Sequence, residues 1–315
     1  MKETRRYTSS RASVDYPFSP ASGELEIDLP AGAKFGVCLT HDIDHLGLTE
    51  HFVDGFLLRY LVYIVRRDVL VRFQPIRALR ALAGALAAPI GRDPWDVTDD
   101  LLDEEQRVGF PSTWFAAVKP GLGIAYRPSR IREAARRIAS AGQEVALHGQ
   151  SSDDAEALAA EANTLAVWLD QPVRGLRMHY LRVTEAVVAG MEQADLRYEA
   201  SVMNRRDLAP ERHPLDAPRL LRGRIIEIPL HVMDSTLFSP TGLAFDRNEA
   251  LGYCRRLMAR AAERGRVVTI NMHPNNFSDQ NPECRAWYRA MLGELNDRSD
   301  VFVTDMRGLA ARVKT

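Results

Sequence analysis

Apolar and polar positions alternate along this chain on two length scales. Short, nearly continuous apolar runs read as strands buried on both faces, and longer stretches with apolar residues three and four apart read as helices. The runs predict strands at 35–39, 112–117, 144–147, 173–178, 198–202, 225–230, 267–271 and 301–303. Helices are predicted between them at 96–107, 130–141, from Asp153 or Asp154 to 169, and at 184–193, 246–264, 282–296 and 305–313. Ser129 reads as the N-cap of the second of these and Gly142 as its stop. The stretch 204–223, rich in Pro and Arg, reads as a loop. Strands that alternate with helices imply a mostly parallel sheet with helices outside. At least seven such repeats favour a barrel over an open sheet.

In a barrel of this kind the chemistry gathers at the C-terminal ends of the strands. The unusual polar clusters all follow predicted strands. The first, Thr40-His41-Asp42-Ile43-Asp44-His45, crowds four ionisable side chains into five positions. Asp42 and Asp44 share one face if the extended geometry continues, and carboxylates that close repel unless a cation or a buried partner separates them. One of them holding a metal while the other works as a base would resolve the conflict. His148 follows the 144–147 strand, Arg177-Met178-His179-Tyr180 closes the next, His231 and Asp234 follow 225–230, and His273 follows 267–271. Asp44 and His148 suit zinc or a similar divalent ion. Two residues compete for the third ligand position: Ser152, four residues after His148, and His179 on a neighbouring strand end.

Composition narrows the classes. The length of 315 residues and 46% hydrophobic content suit a well-cored globular protein, and the net charge of −1 gives no reason to expect nucleic acid. Cys38, Cys254 and Cys284 show no Cys-x-x-Cys spacing, and residues 1–20 carry no apolar signal core, so a cytoplasmic location is expected. One segment departs from the rest. Residues 55–92 hold seven arginines against the single acid Asp68, a balance of 7 − 1 = +6. Arginines interrupt its apolar run well short of the ~20 residues of a membrane span. A basic amphipathic helix there can lie on an anionic membrane surface, or pack on the body with its arginines in water.

The motif order and the strand-end positions resemble the polysaccharide deacetylase superfamily, the NodB-homology or carbohydrate esterase family 4-like proteins. The resemblance is nearest to the branch whose first motif reads Thr-His-Asp-Val-Asp. It spans residue 35 to the C-terminus and implies an α/β fold, a distorted (β/α)7-type barrel with a helical insertion after the first strand. Residues 1–315 then form a single domain with 50–95 as the insertion. By this resemblance Asp42 corresponds to the general base, Asp44 to the metal carboxylate and His148 to the first histidine of a His-x-x-x-His motif. Ser152 stands where the second histidine is expected. Arg177 and Tyr180 match the motif that orients the base and lines the groove, with His179 in place of the usual proline. His273 takes the general-acid position, while Asp234, Leu237 and His45 line the substrate side.

The implied reaction removes an N-acetyl group from an aminosugar by hydrolysis, with a divalent metal, Zn²⁺ first, polarising the amide carbonyl. The implied partner is an aminosugar-containing glycan or a lipid- or nucleotide-linked saccharide, met in the cytoplasm or at the inner membrane face. Two rivals remain at this stage: a metal-free C–N hydrolase on the same fold, and a non-catalytic saccharide-binding protein.

Overall fold

The computed structural model describes residues 23–314 apart from 53, 92, 204–208 and 211. The N-terminal stretch 1–20, Arg92 and part of the 204–223 loop therefore lie outside the described residues. Among the described residues ten strands form one sheet: β1 (Phe35–Ile43), β2 (Thr113–Ala116), β3 (Glu144–Gly149), β4 (Gly175–Met178), β5 (Tyr198–Glu199), β6 (Arg219–Arg222), β7 (Ile225–Glu227), β8 (Val232–Met233), β9 (Val267–Asn271) and β10 (Val301–Thr304). Strands β1 to β5 pair in parallel in chain order, and β9 pairs with β1 on its other side. The segment that opens with β7 lies beside β5, bridges Leu230 to Met203, and reaches β9 as β8. The sheet thereby curls toward a ring with seven parallel positions, the expected distorted barrel. β10 fits beside Phe35–Cys38 of β1, below the point where β2 takes over at Thr40.

Strand β1 runs on through Ile43 instead of stopping at Leu39, and every residue in it is buried. Polar residues can continue a buried strand only if each finds a partner. Thr40 donates to the Ile270 carbonyl at 2.9 Å, and Asp42 accepts from Arg177 at 2.8 Å. His41 points to the opposite face, where its ring meets Glu105 at 2.7 Å and the Met272 carbonyl at 2.8 Å.

The helices are α1 (Phe56–Ile64), α2 (Pro75–Ala87), α3 (Thr98–Val108), α4 (Pro128–Ser140), α5 (Ala155–Leu169), α6 (Glu185–Gln193), α7 (Asp234–Phe238), α8 (Arg247–Arg264), α9 (Pro282–Asn296) and α10 (Met306–Ala310). Side chains of Asp154, Thr184, Asp246 and Asp305 cap α5, α6, α8 and α10. Ser129 caps nothing. α4 begins at Pro128, whose fixed φ suits a first helical position, so Ser129 falls inside the first turn. The β6–β7 hairpin is a second correction. Only Leu220 and Leu221 interrupt the arginines there, too short an apolar run to read as a strand.

The insertion after β1 consists of α1, a π-helical segment Val65–Val71, and α2. Its arginines are not all in water. Arg67 is buried against Asp68 at 2.6 Å and the Gln280 carbonyl at 2.9 Å, and Arg77 reaches Asp68 and Glu283. Among the described residues no helix is long and apolar enough to cross a membrane.

Candidate active site

β1, β3, β4 and β9 deliver the polar clusters to one mouth of the barrel. Register explains why. His148 of β3 lies opposite Arg177 of β4, so the residue two beyond Arg177, His179, arrives on the same side as His148. Among the described residues, Asp44, His148 and His179 offer ligand atoms that all lie within 4.8 Å of one another. His148 Nε2 stands 3.1 Å from Asp44 Oδ1 and 3.1 Å from His179 Nδ1, and His179 Nδ1 stands 3.3 Å from Asp44 Oδ1.

The outer nitrogens of both rings face backbone carbonyls. His148 Nδ1 lies 3.0 Å from the Arg177 oxygen, and His179 Nε2 lies 3.0 Å from the Leu122 oxygen. With protons donated to those carbonyls, both rings turn lone pairs toward the same carboxylate, as metal-ligating histidines do when their outer nitrogen is held by a carbonyl. Two nitrogens each ~2.0–2.1 Å from one zinc in tetrahedral geometry stand roughly 3.3 Å apart, close to the separation found. The donor set thus fits a divalent cation. Where protons occupy the site instead, burial raises the Asp44 carboxyl, but bonds to His148 and His179 outweigh it and hold the group well below its usual range. Burial lowers the His179 ring, and Asp44 more than reverses this, so its pKa is raised.

Ser152, the rival for the third position, turns away. Its hydroxyl bonds the Asp153 carboxylate at 3.2 Å, and its carbonyl accepts from Thr184. The four-residue spacing would align Ser152 with His148 on a helix, but here the chain leaves a strand through a turn, and spacing loses that meaning.

Asp42 lies beside this group, buried, with both oxygens held. Arg177 Nη1 donates to Oδ1 at 2.8 Å, and Asn271 Nδ2 donates to Oδ2 at 3.0 Å. Burial raises its pKa, but Arg177, with His148 and His273, prevails and keeps the carboxyl below its usual value. Arg177 also donates to Thr40, to the Asn271 side chain and to the Ala200 carbonyl, and stacks 4.3 Å over Phe115. His273 Nε2 points into the site, 4.0 Å from Asp42 Oδ2 and 3.7 Å from Asp44 Oδ2. Its Nδ1 bonds Asp234 at 2.6 Å, and its backbone N–H donates to the same carboxylate. Burial opposes a charged ring, yet Asp234, with Asp44 and Asp42, pushes the His273 pKa up to about 10.

Tyr180 overhangs the site, 69% exposed. Its ring lies 4.1 Å from that of His179, and its hydroxyl donates to the Leu122 carbonyl at 2.7 Å. Tyr180 and Leu181 both adopt left-handed backbone angles, as does the Gly121-Leu122-Gly123 turn that meets them. This is strain of the kind that persists where surroundings enforce it. His45 extends from β1 into an aromatic group with Phe56 and Trp95 and bonds His51 at 2.8 Å, so it ties the insertion to the mouth. His231, by contrast, is buried between Thr269 and the Asp216 carbonyl, and burial drives its pKa down to about 3. It plays a packing role. Asn271 and the Leu122 carbonyl were not foreseen. Asn271 left a signal, since it ends a buried apolar strand two residues before His273; the carbonyl left none.

No protein-family model matches the chain, and no curated protein does. Solved structures do. A provisionally assigned polysaccharide deacetylase from Mycobacterium smegmatis aligns over 93% of this chain and 94% of its own, with 19% identity and a TM-score of 0.64. Another, from Pseudomonas aeruginosa PAO1, covers 90% and 92% with 13% identity and a TM-score of 0.59. The Puue allantoinase covers 95% and 97% with 14% identity and a TM-score of 0.61. The chain therefore has the polysaccharide deacetylase fold. That fold carries more than one named activity, so the activity must be argued from the site.

Proposed function

We propose that the protein hydrolyses the N-acetyl group of an aminosugar, with Asp42 as general base, His273 as general acid, and Asp44, His148 and His179 as the holders of a divalent cation. The observation that carries this reading is a carboxylate held by Arg177 facing an imidazole held by Asp234 across one small space. Asp42 is held charged and His273 is held protonated, about 4.0 Å apart, which is the division of labour that acid–base hydrolysis of an amide needs. A bound cation, zinc by its donor set, supplies Lewis-acid polarisation of the acyl oxygen.

The residues divide the remaining work. Asp42 takes the proton of a water whose oxygen bonds to the acyl carbon. His273 gives its Nε2 proton to the nitrogen as the C–N bond breaks, leaving acetate and a free amine. Arg177 and Asn271 are positioning residues that fix Asp42 by hydrogen bonds. Asp234 does the same for His273, fixing the tautomer and stabilising the charged ring, as the carboxylate of a catalytic triad does.

A cavity of about 340 Å³ adjoins the His273 side of the site. Asp234 and Asn276 wall it from the barrel, while Tyr60, Tyr63, Arg59 and Arg72 wall it from the insertion. Arg72 bonds the backbone carbonyls of Phe238 and Phe245 and so keeps its charge unneutralised. Aromatic rings beside free guanidinium groups suit a sugar carried on phosphate, which favours a lipid- or nucleotide-linked saccharide over a neutral polymer. Such carriers are made in the cytoplasm, the location this reading assigns.

The test is acetate release from N-acetylated aminosugar glycans and their nucleotide-linked precursors, run beside allantoin. Release from an aminosugar, lowered ~10²-fold or more in Asp42→Asn with metal content unchanged, is the expected result. Turnover of allantoin alone would move the protein to the other activity named on this fold.

A further inference from the structure

Within the insertion, α2 carries its apolar residues the wrong way round for a helix that only packs on a barrel. The inward face of α2 is made of alanines: Ala78, Ala81 and Ala85 are buried, with Ala88 just beyond. Of its large residues only Leu82 packs inward, half-buried; Ile76, Leu79 and Leu86 are each exposed by about two thirds, and Ile90 beyond them is 93% exposed. The spacing of three, seven and four makes them one stripe along the helix. Leu58 and Val62 form a matching exposed pair on α1, and Phe73, 82% exposed, stands on the turn between the helices in a left-handed backbone conformation. An ordinary surface helix buries its large apolar residues and shows its small ones, and contiguous exposed apolar surface of this kind marks an interaction site.

Charge identifies the occupant. Arg59, Arg66 and Arg80 are exposed on the same elements. The single acid of residues 55–92, Asp68, is buried between Arg67 and Arg77 and offers nothing outward. The acids at the margins, Asp54, Asp279 and Glu283, are paired with His51, Arg285 and Arg77. A second copy of this chain docking through the same face would bring arginines against arginines with no carboxylate between them. A surface that is apolar at its centre and cationic around it, with its marginal acids already paired, instead matches an anionic lipid surface.

We propose that α1, the Phe73 turn and α2 form a membrane-docking face that lays its apolar stripe into the interface of an anionic bilayer. The large side chains insert among the acyl chains near the headgroups, and Arg66 and Arg80 pair with lipid phosphates. The proposal stands apart from the catalytic reading. Asp42→Asn is expected to dock as the wild type does, so loss of hydrolysis and loss of docking are separable.

The experiment is co-sedimentation of the full chain with vesicles of phosphatidylcholine alone and of phosphatidylcholine mixed with phosphatidylglycerol, at low and high salt. Expected is binding to the anionic vesicles that weakens as salt shortens the screening length, with much weaker binding to the neutral ones. Phe73→Ser/Leu79→Ser and Arg66→Glu/Arg80→Glu alter exposed side chains and are expected to keep the wild-type melting temperature. Each double variant is expected to reduce anionic-vesicle binding about tenfold or more. No binding, or equal binding to both vesicle types, overturns the proposal. So does a monomer–dimer equilibrium in sedimentation velocity that Phe73→Ser/Leu79→Ser abolishes while no vesicle binding is seen.

Discussion

His273 shows how far one neighbour can move a side chain's chemistry. An imidazole otherwise loses its proton near neutrality, but Asp234 bonds both its Nδ1 and its backbone N–H and accepts in addition from Asn276. Against the cost of burial, Asp234 together with Asp44 and Asp42 raises the ring's pKa from 6.5 to about 10. The limb of the kcat/KM profile that reports loss of the acid is expected well above neutral pH. In Asp234→Asn that limb is expected to move down by more than a unit, because the amide keeps a hydrogen bond but not the charge. An unmoved limb would remove His273 as the acid. The same linkage acts on stability. A folded-state pKa above the unfolded one stabilises fully below the unfolded value near 6.5, and the contribution disappears as pH rises through about 10. Asp42 has the opposite sign. Its lowered carboxyl contributes at neutral pH and loses that contribution as acid protonates it.

At the scale of elements, sheet register assembles the site and also creates a liability at the far strands. Glu199 of β5 lies opposite Glu227 of β7. Burial, reinforced by Glu199, raises the Glu227 carboxyl to about 8 from 4.5. In the unfolded chain this group ionises near 4.5, so between there and about 8 only the folded state holds its proton, and stability declines across that window. Glu227→Gln removes the titration. Thermal unfolding followed from pH 5 to 8 is expected to show a flatter profile for the variant and a gain at pH 8 of more than ~1 kcal/mol, since one pKa unit is worth ~1.4 kcal/mol. A variant with the wild-type slope would show that Glu227 is not the group responsible. Register also marks the boundary of what local pattern reveals. Periodicity located β9 and α9 to the residue, because apolar runs there are bounded by clear stops. It cut β1 short at Leu39, since a polar run inside a buried strand makes sense only once Arg177, Glu105 and Ile270 are seen from other elements.

At the scale of the whole molecule, the barrel itself was legible because strand–helix alternation is a local property repeated along the chain. Asp42, Asp44, His148, Arg177 and His273 were legible for a related reason: each lies at or just past the C-terminal end of a strand, and a barrel gathers strand ends. The choice between Ser152 and His179 was not. Sequence distance favours neither, and only the pairing of His148 with Arg177 brings His179 to the carboxylate. The roles of Asn271 and of the Leu122 carbonyl, contributed by β9 and by the segment after β2, belong to the same class. The insertion was visible as a basic apolar segment, while the inversion of α2, alanines inward and most large residues outward, required knowing which face meets the body.

The central claim is that Asp44, His148 and His179 together form a divalent-cation site, and metal stoichiometry tests it most directly. Protein prepared without chelator, dialysed against Zn²⁺ and analysed for bound metal, is expected to hold about one equivalent at a site of this donor set. His179→Ala is expected to lose most of it, because an imidazole is replaced by nothing that can ligate, whereas Ser152→Ala is expected to retain it. Full occupancy in His179→Ala, or loss in Ser152→Ala, would contradict the account.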